Sequence, residues 1–349
     1  MNRTSGIIRI CVASACCAVM MFYSGFNALF VYEPIAASVI TTTASSERGE
    51  YEIIPQINII STESTKKESV TEKVQSEVLS AGSNALVKGK IIEKFISPYT
   101  AKNSYNNVYL KNSTDLEVDI KSLLQAKLGF KVQKSDEPQV LILHTHATES
   151  YMSENTDYYT ESYTSRSRDN ANNMVALGKI VADRLNAAGI KTIHDTTLHD
   201  YPSYNESYSR AAKTITSYTS KYKSIKIVKD LHRDAIAAND TDKVKLTADI
   251  DGKKAAQVML VMGSQSGNTK NFPNWQENLK LAFKLQQTLE VMYPSLARSL
   301  SLMPKNYNES LTTGSMLIEI GTDGNTLEEA KYSAELLSNS LVALLNTLG

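Results

Sequence analysis

The sequence predicts an α/β protein, with a mostly parallel sheet flanked by helices and, ahead of it, a transmembrane helix and a flexible spacer. Three observations lead there. An uncharged run over residues 10–32 follows Arg3 and Arg9, a polar stretch without period follows that run, and from Pro138 onward short β-branched runs alternate with longer amphipathic segments.

The apolar run is long enough to cross a bilayer as a helix. It exceeds the ~7–15 residues of an ordinary signal-peptide core, which favours an uncleaved anchor over a signal cut near Ala36 and Ala37. Basic residues before it and Glu33 after it place the rest of the chain outside the cytoplasm. The expected location is therefore the cell membrane, single-pass, with the main domain outside the cytoplasm. All three cysteines, Cys11, Cys16 and Cys17, lie inside the run, so the exported part has no disulfides and no thiolate metal ligands. Lys plus Arg and Asp plus Glu both number 37, a balance that gives no basic footprint for nucleic acid. The expected divisions are an anchor (1–37), a spacer rich in Ser, Thr, Glu and Lys (38–86), a padding segment (87–137) and a catalytic domain (138–349).

Each element of the last part has its own signal. In the padding segment, VDIKSLLQAKLGF reads as a helix. VLILH (140–144) reads as a buried strand and MVALGKIVADRLNAAG (174–189) as a helix ended by Gly189. IKTIHD is the next strand, YNESYSRAAKTITSYTSKY a helix, and IKIVKDLH (225–232) a third strand. VKLTADIDGKKAAQVMLVMG predicts a hairpin turning at Asp251-Gly252, with its second arm continuing as the strand VMLVMG. Asn274 and Glu277 have capping-box spacing before a helix to about Met292, MLIEIG (316–321) is a strand, and Thr326 and Glu329 form a second box opening the last helix. The tyrosine-rich 151–169 lacks a core-forming period and reads as a long loop bordering the site.

In open α/β sheets functional groups collect at the carboxyl ends of strands. Here the first strand delivers His144, His146 and Glu149; the third delivers Asp230, His232, Arg233 and Asp234; Glu319 sits within MLIEIG; and the loop GSQSG, with Ser264 and Gln265, follows VMLVMG. His, carboxylate and His from separate elements suit a catalytic zinc ion with an open position for water, and a further glutamate suits proton transfer. Blander readings compete. A lone histidine after a strand is usually a hydrogen-bonded structural residue, and His194 and His199 in IHDTTLHD read that way, beside Asp195 and Asp200. Arg233 and Asp234 read equally as a surface ion pair or as substrate contacts. Glu319, flanked by Leu317, Ile318 and Ile320, either faces a polar cleft or carries a large desolvation penalty, and the functional reading leads.

VLILHTHATESY, RDNANNMVALGKIVADRLNAAGIKTIHDTTLHDYPSYNESYSRA, IVKDLHRDAI and MLIEIGTDGNTLEEA together resemble the stage II sporulation protein P family, in order from about Pro138 to the C-terminus. These are membrane-anchored cell-wall hydrolases of spore-forming bacteria, related to the zinc N-acetylmuramoyl-L-alanine amidases. The resemblance implies a zinc amidase-like fold, Zn2+ as cofactor, and cleavage of the amide between N-acetylmuramic acid and L-alanine during engulfment, with a second, endopeptidase cut in stem-peptide cross-links. It implies a main domain that faces the cell wall, peptidoglycan as substrate and, as partners, a sporulation transglycosylase (stage II protein D) and a membrane protein (stage II protein M). It places the first ligand at His146, although the glycines of the amidase motif are absent, the second at His232, and the catalytic glutamate at Glu319. His144 stands as an alternate. The carboxylate ligand is Glu149, close to His146 in sequence, or Asp169, which matches the wider amidase pattern four residues before Asn173. Arg233, Ser264 and Gln265 are candidates for contacting the stem peptide by position and charge. The rivals are a zinc carboxypeptidase or endopeptidase on the same wall, and an inert wall-binding or scaffold component of a membrane complex.

Overall fold

In the computed structural model, residues 86–349 are described. The apolar run, the cysteines and all of the spacer but its last residue lie outside the described residues. Among the described residues no helix is long and apolar enough to cross a membrane.

In chain order the elements are β1 (Val87–Lys94), β2 (Asn103–Tyr105), β3 (Val108–Asn112), α1 (Ile120–Gln125), β4 (Val140–Leu143), β5 (Tyr158–Thr160), α2 (Met174–Ala187), β6 (Thr192–His194) and α3 (Ser207–Lys221). There follow β7 (Ile227–Asp234), β8 (Lys243–Ile250), β9 (Lys253–Ala256), β10 (Val258–Gly263), α4 (Trp275–Met292), β11 (Leu300–Met303), β12 (Gly314–Thr322) and α5 (Leu327–Asn346). The main sheet has eight strands in the order β2-β3-β11-β10-β12-β7-β4-β6. Its pairings are parallel except β2 with β3 and β10 with β12, so the expected mostly parallel sheet is present.

Alternation along β4 fixes the layers. Val140 and Ile142 pack with Leu177, Val181 and Leu185 of α2 in the large core, which also takes in α4 and α5. Leu141 and Leu143 point the other way, onto Ala211 and Ile215 of α3. A strand covered on both faces must be apolar throughout, which is why VLIL shows no polar alternation. From β4 the chain runs out to the edge strand β6 through α2, then returns through α3 to β7 on β4's other side. The reversal puts α2 and α3 on opposite faces and opens a crevice at the carboxyl ends of β4 and β7, where such sheets bind ligands.

A second, four-stranded sheet, β5-β1-β8-β9, was not expected. The β8–β9 hairpin turns at Asp251 (φ 50°) and Gly252 (φ 75°), the positive pair that a two-residue turn of this hand requires. The second arm does not run on unbroken into VMLVMG: buried Gln257 separates β9 from β10 and ties the crossing down by bonding the Ile96 amide (2.8 Å) and carbonyl (3.1 Å) and the Ser295 carbonyl (3.1 Å). Residues 87–112 are built into both sheets, β1 beside β8 and β3 beside β11. VDIKSLLQAKLGF yields only the six-residue α1, capped by Asp119. Within 151–169 the residues of β5 pair with β1, and the remainder is irregular.

Of the two expected capping boxes, the one at Thr326 and Glu329 forms with both bonds in place. The one at Asn274 and Glu277 does not. The Asn274 amide donates to the Thr312 carbonyl, and Glu277 bonds Lys280 (2.6 Å). Gly178 of α2 lies against the paired imidazoles of His144 and His194, and a Cβ there would stand 2.4–2.5 Å from their Nε2 atoms. Alanine in place of a helical glycine ordinarily stabilises. Here Gly178→Ala is expected to destabilise by ~1–3 kcal/mol through overpacking, read as a lower urea midpoint, with part of the loss recovered in a His194→Ala background.

Candidate active site

The turn after β4 separates the two histidines that the sequence places two residues apart. His144 stays on the α2 face, fully buried, with Nδ1 3.1 Å from the Leu231 carbonyl and Nε2 2.9 Å from His194 Nε2. Burial pushes its pKa down to about 3 and that of His194 to about 4, so the two rings pair as neutral imidazoles. His199 is structural too, bonding the His144 carbonyl and Thr214 Oγ1, both at 2.9 Å.

His146 emerges on the α3 face. Its ring meets that of His232 edge to face, centres 5.2 Å apart, and stacks on Tyr204 at 4.4 Å. Tyr208 of α3 closes the cluster, edge-on to His146 (5.5 Å) and parallel to His232 (6.5 Å). Three carboxylates surround His232. Asp230 Oδ1 lies 2.9 Å from its Nε2, off the line of a hydrogen bond, and Glu149 Oε2 lies 3.6 Å from its Nδ1. Glu319 is its cross-strand neighbour in the β12–β7 register.

These charges act on one another. Burial disfavours the His232 imidazolium, but Asp230, Glu149 and Glu319 together outweigh it and raise its pKa to about 9. His146 moves the other way, to about 4, through burial and the positive charge of His232. Burial pushes Glu319 up to about 8 and raises Glu149 as well, in both cases against the pull of His232. The Asp230 carboxyl is held down despite its burial by His232 and by Thr145, whose amide (2.8 Å) and hydroxyl (2.6 Å) bond its two oxygens.

Of the expected ligands, then, His146, His232 and Glu149 come together, with Glu319 beside them. Asp169 is exposed and bonds Ala171 N (3.0 Å) and Asn172 Nδ2 (2.7 Å) within its own turn. Arg233 is buried and faces inward, its guanidinium donating to the Ser150 (3.2 Å) and Ser165 (2.8 Å) carbonyls, so it clamps the loop. Ser264 bonds the Met303 carbonyl (2.9 Å), and Gln265 accepts from Phe272 N (2.9 Å), so both are engaged within their own part of the fold. Arg166 was not foreseen. It pairs with Asp200 at 2.6 Å, approaches Glu149 at 3.8 Å and lies over the Tyr204 ring. Tyr204 and Tyr208 were missed as well, although their four-residue spacing at the head of a helix is a sequence signal. Asp230, two residues before His232 on the same strand face, was legible as a neighbour by the two-residue period.

Among the described residues, no three His, Cys, Asp or Glu side chains form a ready ligand set. The donor chemistry nevertheless suits a divalent cation. Five buried side-chain polar atoms among the described residues have no hydrogen-bond partner; His146 Nδ1 and Glu319 Oε2 are two of them, and a third, His232 Nε2, faces the Asp230 carboxylate 2.9 Å away. Two imidazoles on one tetrahedral zinc, with Zn–N of about 2.0–2.1 Å, stand with ring centres about 5 Å apart, as His146 and His232 do.

Fold and site thus define a mostly parallel α/β protein with a buried imidazole and carboxylate cluster at a topological switch point. The chain belongs to the stage II sporulation protein P (SpoIIP) family, whose model matches residues 42–342. It is 30% identical over 217 residues to stage II sporulation protein P of Bacillus subtilis (strain 168), a match covering 58% of this chain and 50% of that one. The chain therefore spans about half the length of the curated relative it matches. Among solved structures it is similar to an N-acetylmuramoyl-L-alanine amidase from Clostridium difficile 630 (14% identity, TM-score 0.37, covering 62% of this chain and 100% of that one). It is also similar to the catalytic domain of the CD27L endolysin targeting Clostridia Difficile (18%, TM-score 0.36, covering 60% and 97%).

Two outcomes follow from the geometry. In metal-free protein, His232 and Glu319 have folded-state pKa values above their unfolded ones, so the stability they contribute is full at low pH and is lost as pH rises towards about 9 and about 8. His146 works oppositely, but only between about 4 and its ordinary 6.5. Between pH 6.5 and 9 the melting temperature of the metal-free chain should fall, and His232→Gln should flatten that slope. Second, were zinc held by His146, His232 and Glu149, Glu149→Ala would lower bound zinc at least ~10-fold whereas Asp169→Ala would leave it unchanged, measured by metal analysis after dialysis.

Proposed function

We propose that the chain is a zinc-dependent peptidoglycan hydrolase that cuts the N-acetylmuramoyl-L-alanine amide during sporulation. The observation that carries this is the buried cluster itself: His146 and His232 in ring contact, Glu149 beside His232, and Glu319 with an unpartnered oxygen. His146, His232 and Glu149 would hold the ion. When bound, such an ion lowers the pKa of water and polarises a carbonyl. Asp230, itself fixed by Thr145, orients the His232 ring. Tyr204 and Tyr208 cover the imidazoles and keep solvent from them.

Glu319 is the proton carrier. Its carboxyl is buried, so its pKa lies near neutrality, and any added positive charge between the imidazoles draws it down as His232 already does. A carboxylate tuned in this way takes a proton from water and returns it to the departing amine nitrogen of L-alanine, as general base and then general acid. Family membership supports the wall as substrate. Membrane anchoring, an added endopeptidase cut, and partnership with stage II proteins D and M belong to the same proposal and rest on the family resemblance.

An inert wall binder fits the cluster poorly. Burying Glu319 among aliphatic residues with an oxygen unpaired costs stability, and a scaffold derives nothing from it. Glu319→Gln is expected to lower release of amidase products from purified wall by ~10²–10⁴-fold while zinc stays bound. Mass analysis of the fragments identifies the bond cut, and undiminished release would refute the role of Glu319.

A further inference from the structure

The loop from Ser150 to Ser167 borders a cavity of about 510 Å³ that adjoins the site. That volume lies within the ~300–1,000 Å³ typical of small-molecule sites. Its lining includes two charged residues, Glu154 and Arg166; the rest is mainly hydroxyl and aromatic, with Ser153, Thr156, Thr160, Ser162 and Thr164 among the hydroxyls. Arg166 is a common wall, since it lines the cavity and also reaches Glu149 and Tyr204.

We propose that this cavity is a subsite for a short run of neutral N-acetylated sugar residues, the glycan of the wall polymer, held beside the cluster that would act on the attached peptide. The proposal rests on the hydrolase reading above and adds to it where the glycan lies. Sugars present hydroxyls and amides that need partners able both to donate and to accept, which serine and threonine hydroxyls are. They also present flat patches of C–H that settle on the electron-rich face of an aromatic ring. Tyr158 offers such a ring, 38% exposed.

The wall behind it is fixed. Tyr163 bonds the Asp323 carbonyl at 2.7 Å, Tyr159 bonds the Thr241 carbonyl, the two rings meet edge to face at 5.7 Å, and Lys243 lies over both. Other ligand classes fit less well. An anion would find a single cation, already paired with Asp200, and an apolar chain would meet a wall of hydroxyls. The uncut glycan unit is neutral because its lactyl carboxyl is tied up in the amide.

The test is calorimetric titration of the full chain with chitotetraose, a neutral N-acetylglucosamine oligomer. Wild type should bind. Tyr158→Ala and Ser162→Ala, both at exposed positions, should weaken binding, the tyrosine variant by about tenfold or more, with melting temperature and bound zinc unchanged. In turnover on intact wall the loss should appear in KM rather than kcat. Glu319→Gln should bind the oligomer as wild type does. If wild type fails to bind chitotetraose, or if Tyr158→Ala binds it equally well, the proposal is overturned. If the tyrosine variant loses binding while Glu319→Gln still degrades wall, the subsite stands and the catalytic assignment falls.

Discussion

Three carboxylates gathered around one imidazole set the terms for everything near the switch point. Glu149 and Asp230 are buried at His232, Glu319 is half-buried beside them, and together they favour a positive charge on its ring. A proton on His232 answers that preference, and so would a divalent cation, so the two compete and metal affinity should rise with pH. His146 shows the complementary effect. Burial, and after it the charged neighbour one ring contact away, keeps it neutral, which is the form in which an imidazole donates a lone pair to a metal. The same site thus holds one imidazole neutral and the other protonated.

The surroundings hold the carboxylates in position. Glu149 lies between two guanidinium groups, Arg166 and Arg233, each 3.8 Å from its Oε1, and the Arg233 amide approaches its Oε2 at 3.3 Å. Arg233 also ties down the Ser150 and Ser165 carbonyls, so the arginine that fixes Glu149 fixes the loop beginning one residue later. On the far side, α3 carries Tyr208 over the imidazoles and is anchored by its own apolar contacts with Leu141 and Leu143. Ligand placement therefore depends on packing across both faces of β4, and a disturbance under α2 at His144 would be transmitted through the turn to His146.

Much of this was legible in the sequence, for definite reasons. Doubly covered strands must be apolar throughout, so VLIL, IKIVKDLH and MLIEIG stood out, and a glutamate within the last was conspicuous by its cost. The hairpin at Asp251-Gly252 and the box at Thr326 were carried by local backbone chemistry and appeared as expected. Strands β1, β2, β3, β5 and β11 were not seen. They are short or half-exposed, and β1 and β3 each take one edge from a partner more than a hundred residues away, β8 and β11. The two histidines of HTH show the limit most clearly. If the strand had continued, both would face α2; it stops at Leu143, and the turn sends His146 to the opposite face. Likewise the stacking of Arg166 on Tyr204, and of Tyr204 on His146, arises only once α3 has docked, and no local pattern announces it.

The site also carries a stability cost, and its placement explains why the chain tolerates it. Unpartnered buried polar atoms on His146 and Glu319 oppose folding, by ~1–3 kcal/mol apiece as a general magnitude, whereas His232 Nε2 is paired with the Asp230 carboxylate. All lie on the α3 side of the sheet, whose apolar cluster is small, while the large core formed by α2, α4 and α5 lies on the other side and contains none of them. Folding stability and site chemistry are thereby divided between the two faces of one sheet. The small α3 cluster has little apolar contact to offset a further loss, so ligand binding at the imidazoles should stabilise α3 and the loops around it more than it stabilises the opposite core.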